Sequence, residues 1–228
     1  MTARPNILLL AGAREATDAA AWLQAVPCTP RVLWAEGARV VPLGMPRCST
    51  VPPDTDAVLD ATHAFDIRTR QIAWPDGCAY ARIGRDTWVA GRGDDWTHCD
   101  TLEAAIAALP RKARVFAATG RDSLPLLARH DGPVFLRQLT HHMEPTGVDN
   151  CSFVFGTAPF TESGEVKLMQ DLDVDVVLAR NIGGPGAFPK LAAARTLGLP
   201  VVLLNPPPTP AGPRLSNADD VAKWVATL

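Results

Sequence analysis

Apolar positions come in short unbroken runs, separated by stretches in which they recur at helical spacing. Residues 6–12 (NILLLAG) form the first run and predict a strand buried on both faces. Residues 13–26 follow with helical apolar spacing and stop before Pro27. The same alternation predicts further strands at 31–37, 56–62, 79–84, 113–120, 133–139, 151–156, 174–181 and 200–205. Helices are predicted at 64–74, 101–109, 121–130, 161–172, 187–197 and 216–228. Pro75 stops the helix at 64–74. The helix at 101–109 has Asp100 or Thr101 as its cap and Glu103 in its first turn. The Pro-rich stretches VPPDT and NPPPTPAGP read as stiff loops.

Short apolar strands alternating with amphipathic helices specify an α/β fold with parallel, doubly wound sheets. The two halves share size and rhythm without an obvious sequence repeat. Two Rossmann-like lobes are therefore expected, an N-terminal lobe over residues 1–110 and a C-terminal lobe over 111–228.

Composition narrows the class. Apolar residues make up 47% of 228, enough for a substantial core. No apolar run approaches the roughly 20 residues of a membrane span. The N-terminal run is too short, and too soon followed by Arg14 and Glu15, to suit an export signal. A formal net charge of −2 gives no reason to expect a nucleic-acid partner. Arginine outnumbers lysine 18 to 4, a supply of planar forks suited to carboxylates and phosphates. The five cysteines form no C-x-x-C pair, as expected for reduced thiols in a cytoplasm. His141 and His142 are adjacent and would point apart, so no metal site is expected there.

In open parallel sheets, ligands bind beyond the carboxyl ends of the strands. Here those ends read AGARE, DATHAF, ATGRDS, FGTAPFT and ARNIGGPG. Glycines there let backbone approach a ligand, and N–H groups at the following helix starts favour anions. AGAREA lacks the full G-x-G-x-x-G fingerprint, and NIGGPGAFPK does not fit a G-x-x-x-x-G-K-[ST] phosphate loop. The single tyrosine, Tyr80, has no lysine four residues later, which argues against a Tyr-x-x-x-Lys reductase.

Taken together, DATHAF (60–65), TGR (119–121), GTAPFTESGEVKLMQ (156–170) and DVVLARNIGGPGAFPKLAAARTLGLPVVLL (175–204) resemble the precorrin-6A reductase family of cobalamin biosynthesis. Order and spacing agree over nearly the whole chain. The resemblance implies an NADPH-dependent oxidoreductase with its active site in the cleft between the lobes. Hydride would go to C19 of precorrin-6A and a proton to C18, giving precorrin-6B. The chain departs from the family pattern at Ala64, where proline is usual, at Arg180 and Ile182, and at Ala13, where a hydroxyl is usual. Glu36 would favour a free ribose 2′-OH, whereas Arg39 would favour a 2′-phosphate.

On this reading the residues at the strand ends take definite roles. His63, Asp66 and Asp122 are the candidates for proton delivery. Gly12, Arg14, Glu15, Thr62, Thr119, Gly120, Arg121, Asn181, Gly183 and Gly184 are expected to hold the cofactor. Phe65, Arg68 and Lys190 are expected to meet the macrocycle and its carboxylates. Neighbouring pathway enzymes are conceivable partners for handover. Two alternatives stay open: a cobalt-precorrin-6A reductase using NADH, and a non-catalytic tetrapyrrole- or nucleotide-binding module. A methyltransferase is disfavoured, because the glycine-rich first loop expected for a methyl donor is absent.

Overall fold

The long apolar runs are the central strands of two parallel sheets. The computed structural model describes residues 4–34 and 44–228, so the Glu36 and Arg39 alternatives lie outside the described residues. The described chain forms two compact units, Met1–Arg85 with Pro207–Leu228, and Asp86–Pro206.

In the first unit, β1 (Asn6–Ala11) lies between β2 (Thr29–Trp34) and β3 (Ala57–Ala61). β4 (Ala79–Ile83) pairs with β3, and β11 (Arg214–Leu215) pairs with β4, all in parallel. The alternation of β1 explains its burial on both faces. Ile7, Leu9 and Ala11 join one core, with Leu23 of α1 (Glu15–Gln24) and Val221 and Trp224 of α7 (Ala218–Val225). Leu8 and Leu10 join the other, with Val58 and Tyr80.

In the second unit the order is β5 (Trp96–Cys99), β10 (Val201–Leu204), β9 (Val176–Arg180), β6 (Val115–Ala118), β7 (Val134–Gln138) and β8 (Cys151–Phe155). Val115, Ala117 and Leu178 face a core that includes Ala105 of α3 (Leu102–Ala107) and Leu127 of α4 (Leu124–Leu127). Phe116, Val177 and Ala179 face Met169 of α5 (Glu162–Asp171) and Leu191 of α6 (Pro189–Leu197).

The boundary expected near residue 110 is corrected on both sides. β5 lies ahead of residue 110 yet pairs with β10, so it belongs to the second unit. The chain beyond Pro206 returns to the first unit, where β11 extends the sheet and α7 covers α1. Neither strand is visible as an apolar run, since Trp96–Cys99 is a half-exposed edge strand and Arg214–Leu215 is two residues long. Two predicted helices are also shorter. Only Ile67–Arg70 (α2) is helical within 64–74, because the Arg70 guanidinium donates to the carbonyls of His63 and Ala64 and holds them out of a helical ladder. Within 121–130, a 3-10 turn at Arg121–Ser123 precedes the single turn of α4.

Candidate active site

Each sheet reverses its strand order once. In the first unit the chain steps from β1 outward to β2, then returns to β3 on the other side of β1. In the second it runs from β6 through β7 and β8, then returns to β9 on the other side of β6. Such switch points are where open α/β sheets bind ligands. The first lies between Gly12 and Thr62–His63, the second between Thr119–Arg121 and Asn181–Gly184. The topology therefore pairs the predicted site residues two segments at a time.

At the first switch point, Gly12 sits so close to the turn after β3 that an added Cβ would lie 3.5 Å from the Thr62 Cα and 3.4 Å from Asp66 Oδ2. A buried charged network shapes that turn. The fully buried Asp60 carboxylate accepts from the Thr62 N–H (2.8 Å), the Thr62 hydroxyl (2.6 Å), the Tyr80 hydroxyl (2.7 Å) and Arg82 Nη1. Arg70 Nε lies 3.7 Å from the same carboxylate and donates to Thr62 Oγ1. Arg82 Nη2 donates to the Thr62 carbonyl at 3.2 Å. The Thr62 hydroxyl is thus directed inward, and what the turn offers a ligand is its outer backbone and His63. His63 is exposed, and its Nδ1 accepts the Phe65 N–H at 3.2 Å, which sets the neutral ring as a donor through Nε2. Asp66 uses both oxygens to cap α2, taking the Thr69 N–H and hydroxyl. Glu15 is ion-paired with Arg85 at 2.6 Å. Arg14 and Arg68 are exposed and make no side-chain hydrogen bond among the described residues.

At the second switch point, Gly120 has φ +88°, and a Cβ there would fall 2.7 Å from Asp122 Oδ1, so only glycine fits. Thr119 is buried, its hydroxyl 2.7 Å from that of Ser123. Asp122 accepts both Arg180 Nη2 bonds, at 3.0 and 2.8 Å. Arg121 donates to Glu144 at 2.6 Å and holds its carboxyl below the usual range. Gly183 and Gly184 are both left-handed, φ +69° and +74°, and among the described residues their N–H groups meet no acceptor. Successive N–H groups in that conformation form a concavity for an anion. Asn181 is buried and engaged elsewhere: its side chain accepts the Trp88 N–H (2.7 Å) and donates to the Trp88 carbonyl (3.1 Å). The Trp88 indole N–H in turn donates to the Gly184 carbonyl at 2.9 Å. Lys190 Nζ stands 5.2 Å over the Trp88 ring and donates to the Ala187 carbonyl, and burial pushes its amine down to about 8.

The sequence reading singled out the residues at these turns but missed what holds them. Asp60 had a visible signal, a lone carboxylate inside the apolar run AVLDA. Trp88 had one too, a bulky aromatic within the polar stretch 85–95. Arg70 and Arg82 had none, because their partners are set by strand register. Each turn leaves backbone open to a ligand: Gly12 brings backbone close to bare backbone, and Gly183–Gly184 offers N–H groups that meet no acceptor among the described residues.

Comparisons with known proteins identify the relatives of the chain. The sequence matches the family described as precorrin-6x reductase CbiJ/CobK over residues 49–226. It is 37% identical to the precorrin-6A reductase of Rhodobacter capsulatus over 175 residues, which cover 74% of this chain and 70% of that protein. It is 30% identical to the precorrin-6A reductase of Rhodococcus erythropolis, with 98% of each chain covered. A solved structure described as CobK precorrin-6A reductase superimposes with a TM-score of 0.77 at 30% identity, covering 98% of this chain and 96% of that one. With a family model matched over residues 49–226 and relatives of 30% identity or more matched over most of its length, the chain belongs to the precorrin-6x reductase family.

Proposed function

We propose that this chain reduces precorrin-6A to precorrin-6B with NADPH, hydride going to C19 and a proton to C18. The observation that carries the reading is the meeting of the family's motif segments at the two switch points, DATHAF beside Gly12 and TGR beside NIGG. When bound, the nicotinamide nucleotide supplies the hydride. The chain supplies position. Backbone at Gly12, Gly120, Gly183 and Gly184, with Arg14, is assigned to the cofactor phosphates, whereas Arg121 is turned toward Glu144 and the Phe153 ring. Thr62, Thr119 and Asn181 act from inside, each fixing the turn that carries those groups. Arg68, Lys190 and Phe65 are assigned to the substrate.

Among the three titratable candidates, Asp66 is occupied as a cap and Asp122 by Arg180, which leaves His63 as the group assigned to the proton. Once Nδ1 lets go of the Phe65 N–H and takes a proton from water, the imidazolium can give its Nε2 proton to C18 and return to the neutral ring. A placed proton donor contributes roughly 10²–10⁴-fold. The deciding assay follows loss of reduced-nicotinamide absorbance with precorrin-6A, comparing NADPH with NADH and metal-free with cobalt-bound substrate. Binding without nucleotide oxidation would reduce the chain to a binding module. In the same assay His63→Ala should lose most of the rate at saturating cofactor, and Asp122→Ala less. Full rate in both variants would rule out acid catalysis by these side chains.

A further inference from the structure

The segment between β7 and β8 carries a surface that none of the motifs account for. Residues 139–145 (LTHHMEP) make no backbone–backbone hydrogen bond among the described residues. They are held by side chains alone. The His141 ring lies 4.5 Å from that of Phe155, and His142 meets Phe153 and Phe155 edge-on at 4.8 and 5.1 Å. Glu144 accepts from Arg121, whose guanidinium stands 5.4 Å over the Phe153 ring. The result is a layer of two phenylalanines and two histidines at the carboxyl ends of β7 and β8, the ligand edge of the second sheet.

Two features of this layer call for a ligand. Apolar side chains remain in water: Met143 is 89% exposed, Leu139 53% and Phe155 36%. Both ring nitrogens of His142 are buried without a hydrogen-bond partner, a condition that normally has a structural or functional reason. Charge is sparse beside the layer: Glu144 is the one carboxylate of residues 139–145, and Cys151–Phe155 contains no charged residue. Arg121 uses only Nη1 on Glu144, so most of its fork is open to a second carboxylate.

We propose that Phe155, His141 and Met143 form a platform for the face of a planar, conjugated polycarboxylate, with Arg121 taking a carboxylate at its rim. This deepens the function proposed above, on which it rests, by locating the macrocycle at the β7–β8 end of the second sheet. An aromatic face supplies stacking area at low entropic cost, and a loop without backbone bonds can reshape around the ring.

The test is a difference-absorbance titration of the full chain with precorrin-6A, without nucleotide, giving Kd directly. Phe155→Ala should weaken binding about tenfold, the worth of one well-placed aromatic contact. Met143 is exposed enough that its replacement leaves the fold intact, so it carries the decisive pair. Met143→Glu should weaken binding about fivefold, whereas Met143→Lys should match or exceed wild type, and both effects should shrink with added salt. Val89→Glu, at an 84% exposed apolar site elsewhere in the second unit, should leave Kd unchanged. Equal effects of Met143→Glu and Met143→Lys, or an equal loss in Val89→Glu, would overturn the platform. So would unchanged Kd values accompanied by a shift in sedimentation, which would make this face a self-association surface. If wild type binds precorrin-6A yet oxidises no NADPH, the reductase reading falls, and the Kd pattern still decides the platform.

Discussion

Replacing Arg82 with methionine removes a guanidinium hydrogen-bonded to a carboxylate that has no access to water. Asp60 is 0% exposed, and its charge is offset by Arg82, by Arg70 Nε at 3.7 Å and by the Tyr80 hydroxyl at 2.7 Å. Breaking a buried ion pair by deleting one partner costs about 3–5 kcal/mol, because the other charge is stranded. Arg70 and Tyr80 stay in place, so the low end applies, about 3 kcal/mol. For a chain of this length each kcal/mol shifts Tm by roughly 2–4 °C, which predicts a fall of about 6–12 °C. Thermal melting followed by circular dichroism reads it. The control is the double variant Arg82→Met with Asp60→Asn. Removing the stranded charge should return part of the loss, with a coupling of about 1–3 kcal/mol. A single variant melting within about 2 °C of wild type would refute the argument, since a buried carboxylate cannot lose its main partner at so little cost. So would a double variant with additive losses.

Four further outcomes follow from other contacts. Burial and then the Asp60 charge push the Tyr80 phenol well above its ordinary value of 10.0, so this sole tyrosine should show no tyrosinate absorbance near pH 10 while the chain is folded. The Tyr80 contribution to stability should hold below about pH 10 and fall above it, where only the unfolded chain ionises this phenol. The Lys190 amine, held down at about 8 by burial, should titrate there by NMR; because its unfolded value is about 10.4, stability should rise between about pH 8 and 10, and Lys190→Met should flatten that rise in urea denaturation. Glu165→Gln breaks the buried pair with Arg137, whose guanidinium donates at 2.9 and 3.1 Å, and should cost about 3–5 kcal/mol in the same measurement. Asn181→Ala leaves the Trp88 backbone N–H and carbonyl without their partners and should cost about 1–3 kcal/mol, with a change in indole fluorescence.

Much of the architecture was legible in the sequence because burial on both faces writes itself as apolar runs. NILLLA, AVLDA and VVLAR are central strands, and all were found with nearly their true limits. The strand-end turns were legible for a related reason: small residues, hydroxyls and charges gather where an apolar run must stop. What the sequence did not contain was partnership. WTHC and the pair Arg214–Leu215 become strands only because β10 and β4 offer them an edge. The helix expected over 64–74 is reduced to one turn by Arg70, whose reach back to His63 and Ala64 no local propensity encodes. The site divides in the same way. The strand-end positions of Gly12, His63, Gly120 and the paired glycines were legible, since an apolar run shows where its strand must stop. Asp60 with its two arginines, Asn181 clamping Trp88, and the histidine–phenylalanine layer beside Met143 were decided by tertiary structure alone. Each joins residues from different strands or loops, and only the packed register sets which of them meet.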